Sequence, residues 1–162
     1  MAIQIREYQP KDLEHIERLM NDFEEYLVGI DDLSFMRPFA DKGREYTRLC
    51  IEKTQKEDGV VLLAENRGEV VGMILGVMHP QSRTSVLEEG ERVYARVTDL
   101  YITEEYRKKG VGKQLIEAIE LHFKNKGCEV LTIGVLAPNK NAYEFYKRVG
   151  YKDRAIDLVK IL

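Results

Sequence analysis

The segment Tyr106-Arg107-Lys108-Lys109-Gly110-Val111-Gly112-Lys113 brings four cations and two glycines into eight positions. It follows a strand-like run ending Asp99-Leu100-Tyr101-Ile102. It precedes Leu115, Ile119, His122 and Phe123, which lie along one side of a helix. Successive backbone N–H groups at a helix start, with the positive end of the helix dipole, form an anion site. Cations there oppose the dipole at about 0.3–1 kcal/mol each, and a bound polyanion reverses that sign. Gly110 and Gly112 let a backbone approach a phosphate closely. Two other phosphate loops are excluded. A Walker loop needs Ser or Thr after its Gly-Lys pair, and here Gly112-Lys113 is followed by Gln114. The dinucleotide motif needs a third glycine where Leu115 stands.

A second set of residues, Asn139, Ala142, Tyr143 and Tyr146, recurs at helical spacing and forms one stripe. By spacing alone, that stripe suits either a core face with two satisfied tyrosines or one wall of a site.

The elements that must position these groups follow from periodicity. Ile3 and Ile5 alternate with polar neighbours as a first strand. Leu13, Ile16, Met20, Phe23 and Leu27 form one helix face that Gly29 ends. A weaker helix is predicted from Pro38 to Gln55, with Tyr46, Leu49 and Cys50 inward. Val60–Ala64 and Val70–Val77 form a hairpin about Asn66-Arg67-Gly68, and Gln81–Gly90 reads as a loop. Along Arg92–Ile102 the apolar positions are odd at Val93, Ala95 and Val97, then even at Leu100 and Ile102. A period of two changes phase only through an extra residue, so a β-bulge is predicted near Thr98–Asp99. A helix from Gly110, a buried strand Val130–Leu136, a helix from Pro138 to Gly150 and a last strand Tyr151–Leu162 complete the order. That order is a single α/β domain over residues 1–162, a central mixed sheet flanked by about four helices.

Composition narrows the function classes. Of 162 residues, 44% are apolar and 33% charged, enough for one core without disulfides or a structural metal. The net charge of −3 argues against a general nucleic-acid partner. No apolar run reaches bilayer length, so no membrane partner is expected. Two cysteines, Cys50 and Cys128, make no disulfide framework, and a cytoplasmic location follows. The histidines show no metal-ligand spacing, so no metal is expected.

The sequence Arg107-x-x-Gly110-x-Gly112 after Asp99-Leu100-Tyr101-Ile102 resembles the acetyl-CoA site of the GNAT superfamily of N-acyltransferases. The pattern Asn139-x-x-Ala142-x-x-x-Tyr146-x-x-x-Gly150-Tyr151 resembles that superfamily's second signature. The resemblance covers essentially the whole chain, and the inferred element order and bulge match that fold. It implies a splayed strand pair, with acetyl-CoA as co-substrate and no metal. The N–H groups from Lys108 through Lys109, Gly110, Val111 and Gly112 to Lys113, with Arg107, would hold the CoA pyrophosphate. Leu100, Tyr101 and Ile102 would pair by backbone with the pantetheine arm. Asn139 would cap its helix or bond the pantetheine, and Ala142 and Tyr143 would line the same wall. Tyr146 would face the thioester sulfur. A phenol near pKa 10 and a thiol near 8.5 make full proton transfer uphill by roughly 2 kcal/mol, so a hydrogen bond to developing charge is the larger part of that role.

The implied reaction is direct transfer of acetyl to a primary amine in a ternary complex. The alternative is a non-catalytic acyl-CoA-binding or regulatory domain. An ammonium acceptor must lose a proton. Asp99 beside the bulge is a candidate base, or else a strand aspartate satisfied by its neighbours. Some branches place a glutamate five residues before the helix asparagine, where this chain has Gly134. The acceptor is a small-molecule or protein amine. Asp22, Glu24, Glu25, Asp31 and Asp32, with no intervening cation, suit a cationic acceptor or a solvated helix face. Arg37 and Arg83 could instead reach an acidic one. A homodimer is compatible with these features.

Overall fold

The computed structural model describes residues 2–162. The chain runs β1 (Ile3–Glu7), α1 (Leu13–Ile30), α2 (Gly43–Lys56), β2 (Val60–Asn66), β3 (Glu69–Met78), α3 (Arg83–Glu89), β4 (Tyr94–Ile102), α4 (Val111–Asn125), β5 (Val130–Ile133) and α5 (Lys140–Arg148). Five strands form one sheet in the order β1-β2-β3-β4-β5. The first three pairings are antiparallel, and β4 pairs with β5 in parallel. A mixed α/β sheet with helices on both faces is therefore present, as the alternation of periods predicts.

Both faces of β2 and β3 are covered, which is why these strands read as continuous apolar runs. Val61, Leu63, Met73 and Leu75 pack under α1 and α2 with Ile16, Leu19 and Met20. Leu62, Ile74, Ala95 and Val97 pack under α4 with Leu115, Ile119 and Phe123. The β2–β3 turn places Arg67 at φ 52° and Gly68 at φ 87°, two left-handed residues whose twist matches that of the hairpin. At the start of α1, Arg6 clasps both carboxylate oxygens of Asp12 at 2.7 and 2.9 Å and reaches Glu65 at 2.7 Å. Asp12 also accepts from the Gln9 N–H. This network ties the helix entry to the sheet.

Five expectations change. The polar stretch Gln81–Gly90 holds a fifth helix, α3, because Ser82 caps it from the Ser85 N–H and Gly90 stops it at φ 80°. The predicted last strand does not form: residues 151–162 carry no strand. Asp153 is taken by Tyr143 and Lys147, and Arg154 by Glu89, so the segment is drawn off the β5 ladder. Ile156 and Leu158 are exposed. In α2 the buried residues are Gly43, Thr47, Ile51 and Thr54, whereas Tyr46 and Leu49 are exposed. The hydroxyls of Thr47 and Thr54 bond the carbonyls four residues back, which lets polar side chains occupy a buried face. The strand Val130–Leu136 stops at Ile133, and Val93 lies outside β4.

Candidate active site

The phase change in β4 is a bulge. Val97 pairs with Gly76 and Asp99 with Leu75, leaving Thr98 as the extra residue. Before it, Ala95 and Val97 face α4; after it, Leu100 and Ile102 do. Asp99 therefore turns to the α2 side, where Tyr101 also faces. Pairing with β5 ends at Val97 and Ile133. Beyond that point, the β4 edge at Leu100–Ile102 has no strand beside it on the β5 side.

The basic turn stands where that edge ends. No N–H from Lys108 through Lys113 finds an acceptor among the described residues; the first to do so is Gln114, bonded to the Gly110 carbonyl at 3.2 Å. Lys108 at φ 58° and Gly110 at φ 83° shape the turn. A backbone of this kind collects unsatisfied donors at a helix N-terminus, the chemistry of an anion site. Lys108, Lys109 and Lys113 are exposed beside it.

The two glycines have different physical reasons. Gly110 has open space about it and is needed for its left-handed φ. A Cβ on Gly112 would lie 3.0 Å from Ile102 Cδ1 and 3.1 Å from Phe145 Cζ. Gly112 is thus a packing glycine that lets α4 approach β4 and α5. Val111 is buried beneath the turn.

Arg107 departs from the picture of a free phosphate ligand. Its Nε–H donates to the Ile102 carbonyl at 3.0 Å. Its guanidinium lies 5.3 Å from the Tyr26 ring centre and 5.4 Å from that of Tyr101. Tyr26 in turn donates its hydroxyl to Asn139 Oδ1 at 3.1 Å. Asn139 also accepts from the Ala142 N–H at 3.2 Å, the N-cap of α5. One chain of contacts therefore joins the basic turn, the end of β4, α1 and the start of α5.

Tyr146 is buried on α5, edge-on to Tyr151 with ring centres 5.7 Å apart. Its hydroxyl has no hydrogen-bond partner among the described residues, and it is not sealed off from solvent as the Tyr151 hydroxyl is. Burial, then the Asp99 carboxylate, pushes its phenol above the usual range. Ala142 packs on the α4-side core. Tyr143 points elsewhere: it is exposed, and its hydroxyl donates to Asp153 at 3.1 Å.

Asp99 lines a cavity of about 200 Å³ with Tyr46, Cys50, Lys53, Thr54, Val77 and Thr98. Burial raises its carboxyl above the ordinary range, opposed by the Thr98 hydroxyl and Lys53. It makes no ion pair within 4 Å among the described residues. Glu24 on α1 is buried nearby and is raised first by burial, then by the charge of Asp99. No group of His, Cys, Asp or Glu among the described residues could hold a metal. Cys50 and Cys128 are free thiols. No described helix is long and apolar enough to cross a membrane.

Sequence reasoning missed Tyr26 and the burial of Glu24. Tyr26 carries no local signal, since its partners lie 81 and 113 positions away. Glu24 did carry one: Ile16, Met20 and Glu24 recur at steps of four, which puts the carboxylate on the core stripe.

A model of the acetyltransferase (GNAT) family matches residues 16–151. The chain belongs to that family. The match bears out the resemblance to that family read from the sequence. This GNAT chain is 31% identical over 99 residues to N-alpha-acetyltransferase 60 of Xenopus tropicalis, covering 53% of the chain and 40% of that protein. It thus spans less than half of that relative's length. It is 26% identical over 149 residues to an uncharacterized N-acetyltransferase of Bacillus subtilis (strain 168), covering 92% of the chain and 89% of that protein. A solved structure of AAC(6')-Iy in complex with the bisubstrate analog CoA-S-monomethyl-acetylneamine shares the fold at TM-score 0.72 and 19% identity, with full coverage of both chains.

Proposed function

We propose that this GNAT protein transfers the acetyl group of acetyl-CoA to a primary amine by direct attack in a ternary complex. One observation carries the reading: β4 loses its β5 partner after Val97, at the Thr98 bulge, and the edge left open on that side leads to six N–H groups without an acceptor among the described residues. An extended pantetheine arm fits such an edge, and a pyrophosphate fits such a turn. The AAC(6')-Iy neighbour, bound to a CoA-containing analog, supports acetyl-CoA as the co-substrate. It supplies the thioester; this chain's residues do the rest.

The turn Lys108–Lys113 binds the pyrophosphate through backbone, with the exposed lysines adding charge. Leu100–Ile102 orient the arm, and the N–H of Leu100 or Tyr101 is the donor for the developing oxyanion. Arg107 acts by latching the turn to Ile102 and bracing Tyr26 and Tyr101. Asn139 caps α5 and so aims Tyr146. With its phenol raised by burial, Tyr146 gives up a proton less readily, so it serves the leaving sulfur mainly as a hydrogen-bond donor. Asp99, raised toward neutrality, takes the amine proton directly or through water. The free thiols of Cys50 and Cys128 suit a reducing, cytoplasmic setting.

An amine-acceptor screen with CoA thiol release as readout tests the proposal. Release that requires both acetyl-CoA and an amine is expected. Tight acetyl-CoA binding without release for any amine would replace the enzyme with a non-catalytic acyl-CoA-binding domain.

A further inference from the structure

The two edges of the sheet differ. β1, at one edge, carries Gln4, Arg6 and Glu7 among its five residues. Charged side chains of that kind blunt an open edge. β5, at the other, reads Val130-Leu131-Thr132-Ile133, with no charge, proline or bulge. Among the described residues, the backbone of 131–133 bonds nothing but β4. The four residues are half-buried, and a cavity of about 280 Å³ opens between Val130 and Leu131 and the α4 residues Glu120, Phe123 and Lys124. Residues 155–162, Ala-Ile-Asp-Leu-Val-Lys-Ile-Leu, have the composition of a strand and hold no glycine or proline. They make no hydrogen bond among the described residues, and Ile156, Leu158, Val159 and Ile161 are 57% to 88% exposed. The root of this segment is fixed. Asp153 is held on α5 by Tyr143 and Lys147, and Arg154 by Glu89 of α3, with its guanidinium 5.8 Å from the Tyr94 ring centre. From there the segment leaves the molecule as an arm and does not lie on its own β5.

We propose that residues 155–162 of one copy add a strand to the β5 edge of a second copy, and that the exchange is reciprocal. Each chain brings one bare edge and one unused strand, so a two-fold pair uses both and closes. A foreign strand would cover the edge and leave the arm in water. The arm holds two apolar pairs of opposite parity, Ile156 with Leu158 and Val159 with Ile161. Side chains alternate across a strand, so one pair faces the α4 cavity and the other the far face of the sheet. The inference stands apart from the acetyl-transfer reading.

Sedimentation velocity on the full chain should show a dimer. The double variant Ile156→Lys, Leu158→Lys should raise its dissociation constant about 100-fold or more, because both lysines would enter a buried apolar seam. Both side chains are exposed within one copy, so the variant should keep the circular dichroism of the folded chain. Hydrogen exchange reads which surface is covered: the amides of residues 131–133 should exchange slowly in the wild-type dimer and faster in the variant. A wild-type protein that stays monomeric up to about 100 µM overturns the proposal. A dimer that the variant retains puts the interface elsewhere and overturns it too, as does a variant monomer whose exchange at 131–133 is unchanged. Slow exchange there in a wild-type monomer, or a variant that unfolds from a wild-type monomer, would place the arm on its own edge and end the reciprocal pairing.

Discussion

Arg107 donates its Nε–H to the carbonyl of Ile102 at 3.0 Å, five residues back, so the basic turn is latched to the last residue of β4. The same guanidinium faces the rings of Tyr26 and Tyr101. Arg107→Lys keeps the charge but loses the fork and the planar stacking. Stacked cations contribute about 0.5–2 kcal/mol, so the melting temperature should fall by roughly 1–8 °C. KM for acetyl-CoA should rise with it. Calorimetry and steady-state kinetics check both; a variant unchanged in each would reduce the latch to a surface contact.

Tyr146→Phe should retain acetyl-CoA affinity and lower kcat by about 10²–10⁴-fold, the range for positioned proton-handling groups. The hydroxyl has no internal partner to lose, so the fold should keep its stability. Binding and turnover measured side by side separate the two effects.

For Asp99 the sign of the pH effect follows from its raised carboxyl. In the fold the neutral form is favoured. Stability from this group is fully present below the ordinary carboxylate pKa of about 4 and is lost as pH rises through the raised value. Asp99→Asn should therefore match the wild-type melting temperature near pH 4 and exceed it at neutral pH, while turnover falls roughly 10–10³-fold and the acid limb of the rate profile moves or disappears. Thermal melts across that range and a pH–rate curve test this; an unchanged rate profile would remove Asp99 from proton transfer.

The glycines should part company. Gly110→Ala meets no neighbour but holds a left-handed φ, a strain of about 1–2 kcal/mol, and it should weaken acetyl-CoA binding by reshaping the turn. Gly112→Ala presses on Ile102 and Phe145, and overpacking costs typically about 1–3 kcal/mol. Its loss should appear in the melting temperature even without co-substrate. Titration calorimetry alongside melts distinguishes a turn defect from a packing defect.

Asp12 gives the opposite pH sign. The Arg6 guanidinium, against some cost of burial, holds its carboxyl below the usual range. Its contribution is present above the unfolded carboxylate pKa and is lost as pH falls through the lowered value. Asp12→Asn should cost about 1.5–3 kcal/mol at neutral pH, the range for hydrogen bonds to charged groups, and progressively less in acid. Denaturant melts at several pH values measure it.

Much of this architecture can be read from local pattern. The parity break between Val97 and Leu100 locates the bulge because a half-buried strand has a strict period. The glycine-and-lysine turn locates the anion site because helix starts leave N–H groups over. Two kinds of feature escape that reading. Elements without hydrophobic period are invisible, as α3 is, since its capping by Ser82 rather than its burial defines it. Long-range polar contacts are invisible too. Nothing near Tyr26 points to Asn139, and nothing in Asp153 and Arg154 says that they will hold residues 151–162 off the sheet.

The single extra residue in β4 has a consequence for how the chain can vary. Thr98 is a spacer whose identity matters less than its presence. Replacing it leaves the two halves of the strand in their opposite phases. Deleting it would join Val97 directly to Asp99, which restores unbroken alternation and leaves Asp99 and Tyr101 on the α2 side and Leu100 and Ile102 on the α4 side; what disappears is the local kink. The extra residue therefore sets the bend of β4 at the point where it parts from β5, and not the face on which the later side chains stand.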